Sequence, residues 1–276
     1  MLVGFRPEHV DGVTHVATGW DNAIFRAGDV AVRLPRREEA VQLLLHERRW
    51  LPELASRLPV AVPAPLASGD AAPGFPHPWA IVPWFDGTAL WHMPPADRRP
   101  LAEPLARFLA ALHIPAPGEA PVNPVRGVPL AERALAVPPP FDRPESVPLR
   151  PPWEDGLVAP VWDGPPVWVH GDLHPGNIVA RDDGGTVELA AVIDWGDLGA
   201  GDPACDLVVA WFAFDAEGRT AFRAELERRG AVDDAMWRRG RARAAAITDS
   251  MLHTTAGDGD VARMSRRAVS ELASGA

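Results

Sequence analysis

The sequence predicts an α+β protein of two lobes. The smaller, β-rich lobe spans residues 1–86 and carries one main helix; the larger, mostly helical lobe spans 87–276. Three observations predict this. Alternating apolar residues with turn signals crowd the start of the chain. Helical periodicity dominates the remainder. Short apolar steps flanked by polar clusters then fall inside that helical part, and a cleft is expected at the join, near residue 86.

Residues 13 to 34 read as strands, with a break around Trp20-Asp21-Asn22 and a turn at Gly28-Asp29. Residues 36 to 57 read as a helix, because Val41, Leu44, Leu45, Leu51 and Leu54 recur near helical spacing and Pro59 stops the run. The segment Val62 to Asp70 suggests a further strand broken by prolines, and Ala80 to Phe85 a better one, ended by the Asp86-Gly87 turn. Leu101, Leu105, Phe108, Leu109 and Leu112 form one stripe of a helix over 97–113. A proline-rich excursion over 115–166 is expected to hold short helices near 128–137 and 153–159. Strands are expected at Val167 to Val169 and Val187 to Ile193, and three helices over 216–274.

Composition narrows the function. The formal net charge is −10. That argues against a nucleic-acid binder, which needs a basic face, and against attraction to anionic membranes. It suits a cationic small-molecule partner. No apolar run approaches the ~18 residues of a membrane span. Met1 to Val10 carry charges where a signal peptide would be apolar, and the single Cys205 rules out an internal disulfide, so a cytoplasmic protein is expected. All 27 basic residues are Arg. Wherever chemistry would recruit Lys, this chain offers Arg.

The strongest motif is His170-Gly171-Asp172-Leu173-His174-Pro175-Gly176-Asn177, after one apolar step and before another. Seventeen residues after Asn177, Asp194-Trp195-Gly196-Asp197 ends a second apolar run. This spacing suits phosphoryl transfer. An Asp can orient a hydroxyl and accept its proton, and an amide oxygen with a carboxylate offers hard ligands to a metal ion bridging phosphates. Asp172 is therefore the candidate catalytic base, and Asn177 and Asp194 the candidate Mg²⁺ ligands.

His170–Asn177 followed by Ile193-Asp194-Trp195-Gly196-Asp197-Leu198-Gly199-Ala200-Gly201-Asp202-Pro203-Ala204-Cys205-Asp206-Leu207 resembles the aminoglycoside phosphotransferases, small-molecule kinases with a protein-kinase-like fold. The resemblance spans essentially the whole chain and is weaker in the N-terminal lobe. It implies Asp172 as base, Asn177 and Asp194 as metal holders, and Asp202 and Asp206 as supports of the site. It implies ATP or GTP as donor with Mg²⁺, and a small-molecule hydroxyl acceptor. His170 is expected to scaffold the catalytic loop and His174 to shape its turn.

The phosphate-binding cation expected on an N-terminal strand is Arg33 where the family uses Lys. Arg keeps the charge and can grip phosphate with two parallel bonds. Its helix partner is expected to be Glu47, with Arg26 and Arg36 the next cations in line. No glycine-rich loop precedes Arg33; the turn containing Gly19 and Asn22 stands in its place. Val82 to Phe85, with Trp84, reads as the hinge that meets the nucleotide base, where Pro83 removes one donor.

Two other classes fit parts of the motif. His170-x-Asp172 with His253, and Arg263 ten residues on, resembles a 2-His-1-carboxylate iron/2-oxoglutarate oxygenase. A nucleotide-binding pseudokinase would keep the fold without turnover. For the acceptor, the acidity favours an aminoglycoside-type antibiotic, with Glu217, Asp249, Asp258 and Asp260 as candidate amine-binding acids. A pocket of Trp84, Trp91, Trp153 and Trp211 would instead suit a macrolide. Choline- or homoserine-type metabolites remain a third acceptor class.

Overall fold

The computed structural model describes residues 12–274 of the 276. The expectations for Met1 to Val10 lie outside the described residues.

β1 (Val13–Thr18), β2 (Asn22–Ala27) and β3 (Val30–Pro35) form an antiparallel meander. β3 alternates, burying Ala31 and Arg33 on one face. α1 (Glu38–Ala55) follows, with Glu38 and Glu39 in its first turn, where carboxylates favour the helix dipole. Its buried face combines Leu44, Leu51 and Leu54 with Glu47. β4 (Ala67–Gly69) and β5 (Trp79–Pro83) complete a sheet ordered β1-β2-β3-β5-β4. Of the strand expected over 62–70, only β4 forms. The expected strand over 80–85 ends early, because Pro83 offers no N–H to extend the ladder.

β6 (Thr88–Ala89) follows the turn at Gly87. The helix expected over 97–113 is divided. Pro95–Leu101 is a 3-10 helix and α2 (Ala102–Leu112) is α-helical. Pro100 lies at this division and cannot donate an intrahelical bond. Leu105, Phe108, Leu109 and Leu112 are fully buried on α2, and burying each such side chain contributes about 1.5–3 kcal/mol.

The excursion holds α3 (Leu130–Ala136) and α4 (Arg150–Leu157), the latter beginning three residues before the expected Trp153. Its loops are anchored from end to end: Pro121 O accepts from Ala200 N, and Gly127 O from Asp202 N. β7 (Val167–Val169), β8 (Ile178–Asp182), β9 (Val187–Val192) and β10 (Gly199–Gly201) frame the motif segments. β6, β8 and β9 form one small sheet, and β7 pairs with β10. α5 (Val209–Ala213), which the sequence reading did not separate, leads into α6 (Ala216–Arg228), α7 (Asp234–Thr254) and α8 (Asp260–Ala273). Trp211, Phe212, Phe214 and Phe222 are buried where these helices meet.

Candidate active site

A cleft of about 730 Å³ is lined by both the five-stranded sheet and the motif loops. Arg33 from β3, Gly19 and Asn22 from the β1–β2 turn, and Trp84 line it together with Asp172, Asn177 and Asp194.

The Asp172 loop is held rigidly from beneath. Asp206 accepts the backbone N–H of His170 and of Gly171, each at 2.9 Å, and faces His113 Nε2 at 3.1 Å. Burial opposes the charge on Asp206, but His113 and His170 with the backbone donors outweigh it and hold its pKa below the ordinary carboxylate value. Gly171 has φ +85°, and a Cβ there would meet Asp197 O at 2.4 Å, so only glycine fits. His170 Nδ1 accepts the Asp172 N–H, leaving Nε2–H for Ile193 O at 3.0 Å. These two bonds tie the Asp172 loop to the segment that leads into Asp194. Trp195 packs on His170 with ring centroids 4.8 Å apart.

His174 Nδ1 accepts the Gly176 N–H and its ring stacks on Trp91. Burial lowers its pKa, so the ring is neutral with its proton on Nε2, 3.6 Å from Asp172 Oδ2. Asn177 Nδ2 donates to Asp172 O at 2.9 Å, which orients its Oδ1 away from that bond. Asp194 sits at φ +61°, a conformation that costs a non-glycine residue energy and aims its carboxylate into the cleft. An amide oxygen and an accessible carboxylate suit Mg²⁺, which keeps several waters and takes its other ligands from phosphate. Among the described residues no cluster of three His, Cys, Asp or Glu side chains forms a metal cage.

Arg33 makes a forked ion pair with Glu47, Nη2 donating to Oε1 at 3.0 Å and Nη1 to Oε2. Arg33 Nη2 lies 3.9 Å from Asp194 Oδ1. Burial opposes the Arg33 charge, yet Glu47 and Asp194 more than offset it and keep its pKa above the ordinary value. Arg26 instead pairs with Asp86 and stacks on Trp84, and Arg36 donates to Gly19 O.

The β1–β2 turn is pinned over the cleft by that Arg36 contact and by Arg37, which pairs with Asp21. Asn22 Oδ1 is buried there without a partner. At the hinge, Trp84 N–H is committed to Asp29 O at 2.8 Å and its indole donates to Asp86. Both N–H groups of Trp84 are therefore spoken for, which leaves its ring and carbonyl at the cleft wall.

One element was missed in the sequence. Arg126 donates from Nη2 to Asp172 Oδ1 at 2.8 Å and from Nε to Asp197 Oδ2 at 3.2 Å. Asn123 Nδ2 holds the other Asp197 oxygen at 2.8 Å, while its own Oδ1 accepts from Val125 N and Arg126 N. The signal was an Asn-Pro-x-Arg-Gly turn inside the proline-rich segment.

Asp202 caps the helical turn after it and pairs with Arg239 at 2.9 Å, buried behind the site. Trp153 and Trp211 are buried core residues and correct the expectation of an aromatic acceptor pocket. The nominated acids are also committed: Glu217 to Arg99, Asp258 to Arg266, Asp260 to Arg263, and Asp249 is fully buried against Phe141 N. The oxygenase reading fails here, since His253 sits on α7 with its ring nitrogens engaged by Asp142 and Asp249 O, and Arg263 pairs with Asp260.

The sequence matches the phosphotransferase enzyme family over residues 12–245. The chain belongs to that family. It is a small-molecule phosphotransferase. Among solved structures it is similar to the GDP and kanamycin complex of APH(2")-IIIa, at 24% identity and TM-score 0.68, covering 95% of this chain and 93% of that one. It is also similar to the macrolide 2'-phosphotransferase MphH from Brachybacterium faecium, at 22% identity and TM-score 0.63, covering 95% and 94%. These likenesses establish the two-lobed kinase-like fold. No curated protein matches the sequence. Among the described residues no helix is long and apolar enough to cross a membrane.

Proposed function

We propose that this phosphotransferase moves the γ-phosphoryl group of ATP or GTP to a hydroxyl of a small molecule, with Asp172 as the base. The supporting observation is the convergence of Asp172, Asn177, Asp194 and Arg33 on one cleft. The acceptor hydroxyl gives its proton to Asp172, which lines the cleft with Oδ1 held by Arg126 and Oδ2 3.6 Å from His174 Nε2. The hydroxyl oxygen bonds to the γ-phosphorus as the bond to the β-phosphate oxygen breaks, and nucleoside diphosphate leaves. Arg33, steadied by Glu47, takes charge from the α- and β-phosphates. Mg²⁺ held by Asn177 Oδ1 and Asp194 would neutralise charge on the phosphate oxygens. The N-terminal lobe of 1–86 carries the nucleotide side and 87–276 the acceptor side. Arg33, Asn177 and Asp194 would serve a nucleotide-binding pseudokinase as well; Asp172, placed among them, is the group that only turnover needs.

For the acceptor, an aminoglycoside-type antibiotic is the first reading, and an antibiotic-resistance role follows from it. Its support is the protein's acidity and the likeness to kinases solved with kanamycin, gentamicin and streptomycin. The ion pairing of Glu217, Asp258 and Asp260 favours a second reading, a less cationic acceptor of the macrolide or hydroxylated-metabolite kind. A panel of aminoglycosides, macrolides and hydroxylated metabolites, assayed for consumption of Mg-ATP and Mg-GTP, tests both. Turnover with none of the nucleotides on any member overturns the phosphotransfer reading.

A further inference from the structure

Asp172 is fixed in place without Arg126. His170 Nδ1 accepts its backbone N–H at 3.2 Å, Asn177 Nδ2 donates to its carbonyl at 2.9 Å, and Asp206 holds the two residues before it. Yet a guanidinium also bonds its carboxylate, from a segment 46 positions away. Holding the base still does not account for that bond.

The turn that presents Arg126 is rigid. Asn123 Oδ1 accepts from Val125 N and Arg126 N, and Asn123 Nδ2 is tied to Asp197 at 2.8 Å. Gly127, the next residue, has φ +65°, and its carbonyl accepts from Asp202 N at 2.7 Å. A Cβ on Gly201 would meet Gly127 O at 2.3 Å, so the two backbones touch where only glycine fits. The Arg126 side chain, one-quarter exposed, lines the cleft with Asp172, Asn177 and Asp194. Its Nε and Nη2 are used by Asp197 and Asp172, while Nη1 makes no bond among the described residues and is not buried. Burial opposes its charge, but Asp172 and Asp197 more than offset this and keep its pKa above the ordinary value.

A cation in that place meets the reacting atoms. An acceptor hydroxyl bonded to Asp172 lies about 2.7 Å from a carboxylate oxygen. Arg126 Nη2 lies 2.8 Å from a carboxylate oxygen of the same residue. The phosphorus that joins the hydroxyl oxygen therefore arrives beside the guanidinium. The charges around Arg126 also change in the useful direction. Before the step it faces two carboxylates. The acceptor O–H bond then breaks and its proton neutralises Asp172. The new O–P bond forms, and the electron pair of the old one leaves on the β-phosphate oxygen. Arg126 now faces one carboxylate, just as negative charge spreads over the phosphoryl oxygens.

We propose that Arg126 is a catalytic residue, whose open Nη1 donates to the γ-phosphoryl group in transit with a bond that strengthens as Asp172 takes the proton. This deepens the phosphotransfer reading and rests on Asp172 as its base. A preformed donor that binds the transition state better than the ground state raises kcat, whereas one that binds both equally does not.

The test uses the full chain with aluminium fluoride as a stand-in for the planar phosphoryl group, and no acceptor. Affinity for Mg-ADP or Mg-GDP, whichever binds more tightly, is measured by calorimetry with and without aluminium fluoride. Aluminium fluoride should tighten the nucleotide on wild type by about a hundredfold. That gain should shrink by about tenfold or more in Arg126→Ala and by less in Arg126→Lys, with the nucleotide alone bound within a few-fold by all three. A residue that only steadied Asp172 would not move this readout, because no proton is transferred in it. Arg126→Lys keeps a charge between the two carboxylates, so the comparison does not depend on the Ala variant folding. Combining Arg126→Ala with Asp197→Asn removes one unpaired carboxylate, and the gain should stay lost; its recovery would assign the effect to carboxylate repulsion and overturn the proposal. No tightening on wild type, or equal tightening on wild type and both single variants, also overturns it. Turnover of a member of the acceptor panel beside either result leaves the phosphotransfer reading standing, so the two fail separately.

Discussion

Arg33 on β3 and Glu47 on α1 meet as a buried, forked ion pair with Glu47 only 1% exposed. The pair fixes the helix against the sheet and places a guanidinium 3.9 Å from the Asp194 carboxylate. Removing one partner strands the other, and a stranded buried charge costs about 3–5 kcal/mol. Arg33→Ala should raise the nucleotide KM and lower kcat. Arg33→Lys should retain partial activity, above the Ala variant and below wild type, because an ammonium cannot reproduce the two-pronged contact. In a double-mutant cycle with Glu47→Ala the two effects should fall well short of adding. Strict additivity measured by nucleotide titration would show the pair to be uncoupled.

Asn177 and Asp194 differ in what they offer a hard cation. A carboxylate supplies a full charge and an amide only a dipole. Asp194→Ala should therefore weaken Mg²⁺-dependent nucleotide affinity more than Asn177→Ala does. Nucleotide titrations with and without Mg²⁺ measure this, and equal losses would assign the two residues differently.

Arg126 joins the excursion to the chemistry, reaching Asp172 across 46 positions of sequence. Arg126→Ala should lower kcat at least tenfold with a smaller effect on nucleotide affinity, since it leaves two carboxylates unpaired beside the incoming phosphate. Arg126→Lys should recover only part of the loss, because an ammonium cannot hold both carboxylates in a fixed plane. Steady-state kinetics of the three proteins checks this; equal kcat in all would remove Arg126 from the site.

Asp206 links stability to pH. Its pKa in the folded protein lies below the unfolded value. In that window the unfolded chain binds the extra proton, so stability rises with pH there. The contribution is present above the ordinary carboxylate pKa of about 4 and is lost as pH falls through the lower folded value. Asp206→Asn should melt several degrees lower than wild type at pH 7, and the gap should narrow progressively as pH falls below the ordinary carboxylate pKa of about 4. Melting curves from pH 7 down through the acid range measure it; a gap that does not narrow on acidification contradicts the linkage.

Much of this was legible beforehand because local chemistry dictated it. The alternation through Val30–Leu34 fixed the face that Arg33 occupies, and helical spacing put Glu47 on the buried side of α1. Asp172, Asn177 and Asp194 were readable because their spacing is set by tight turns after short apolar strands. Pro100 and Pro83 cut elements shorter than periodicity alone suggested, through missing N–H groups. Arg126 was not readable. Its role depends on where a proline-rich segment without periodicity comes to rest, and that is decided by long-range bonds such as Asn123 to Asp197. The acceptor acids failed for the same reason: an acidic residue in sequence does not reveal the arginine that neutralises it.

Asp172 carries the central claim. Asn at that position keeps the shape and the bond from Asn177 to its backbone carbonyl, but cannot take the acceptor proton. Steady-state phosphoryl transfer by Asp172→Asn, measured beside nucleotide affinity on the same preparation, tests the claim most directly. The account predicts unchanged nucleotide binding with kcat lowered by about 10²–10⁴, the range for a positioned acid–base group. Undiminished kcat in Asp172→Asn would contradict it.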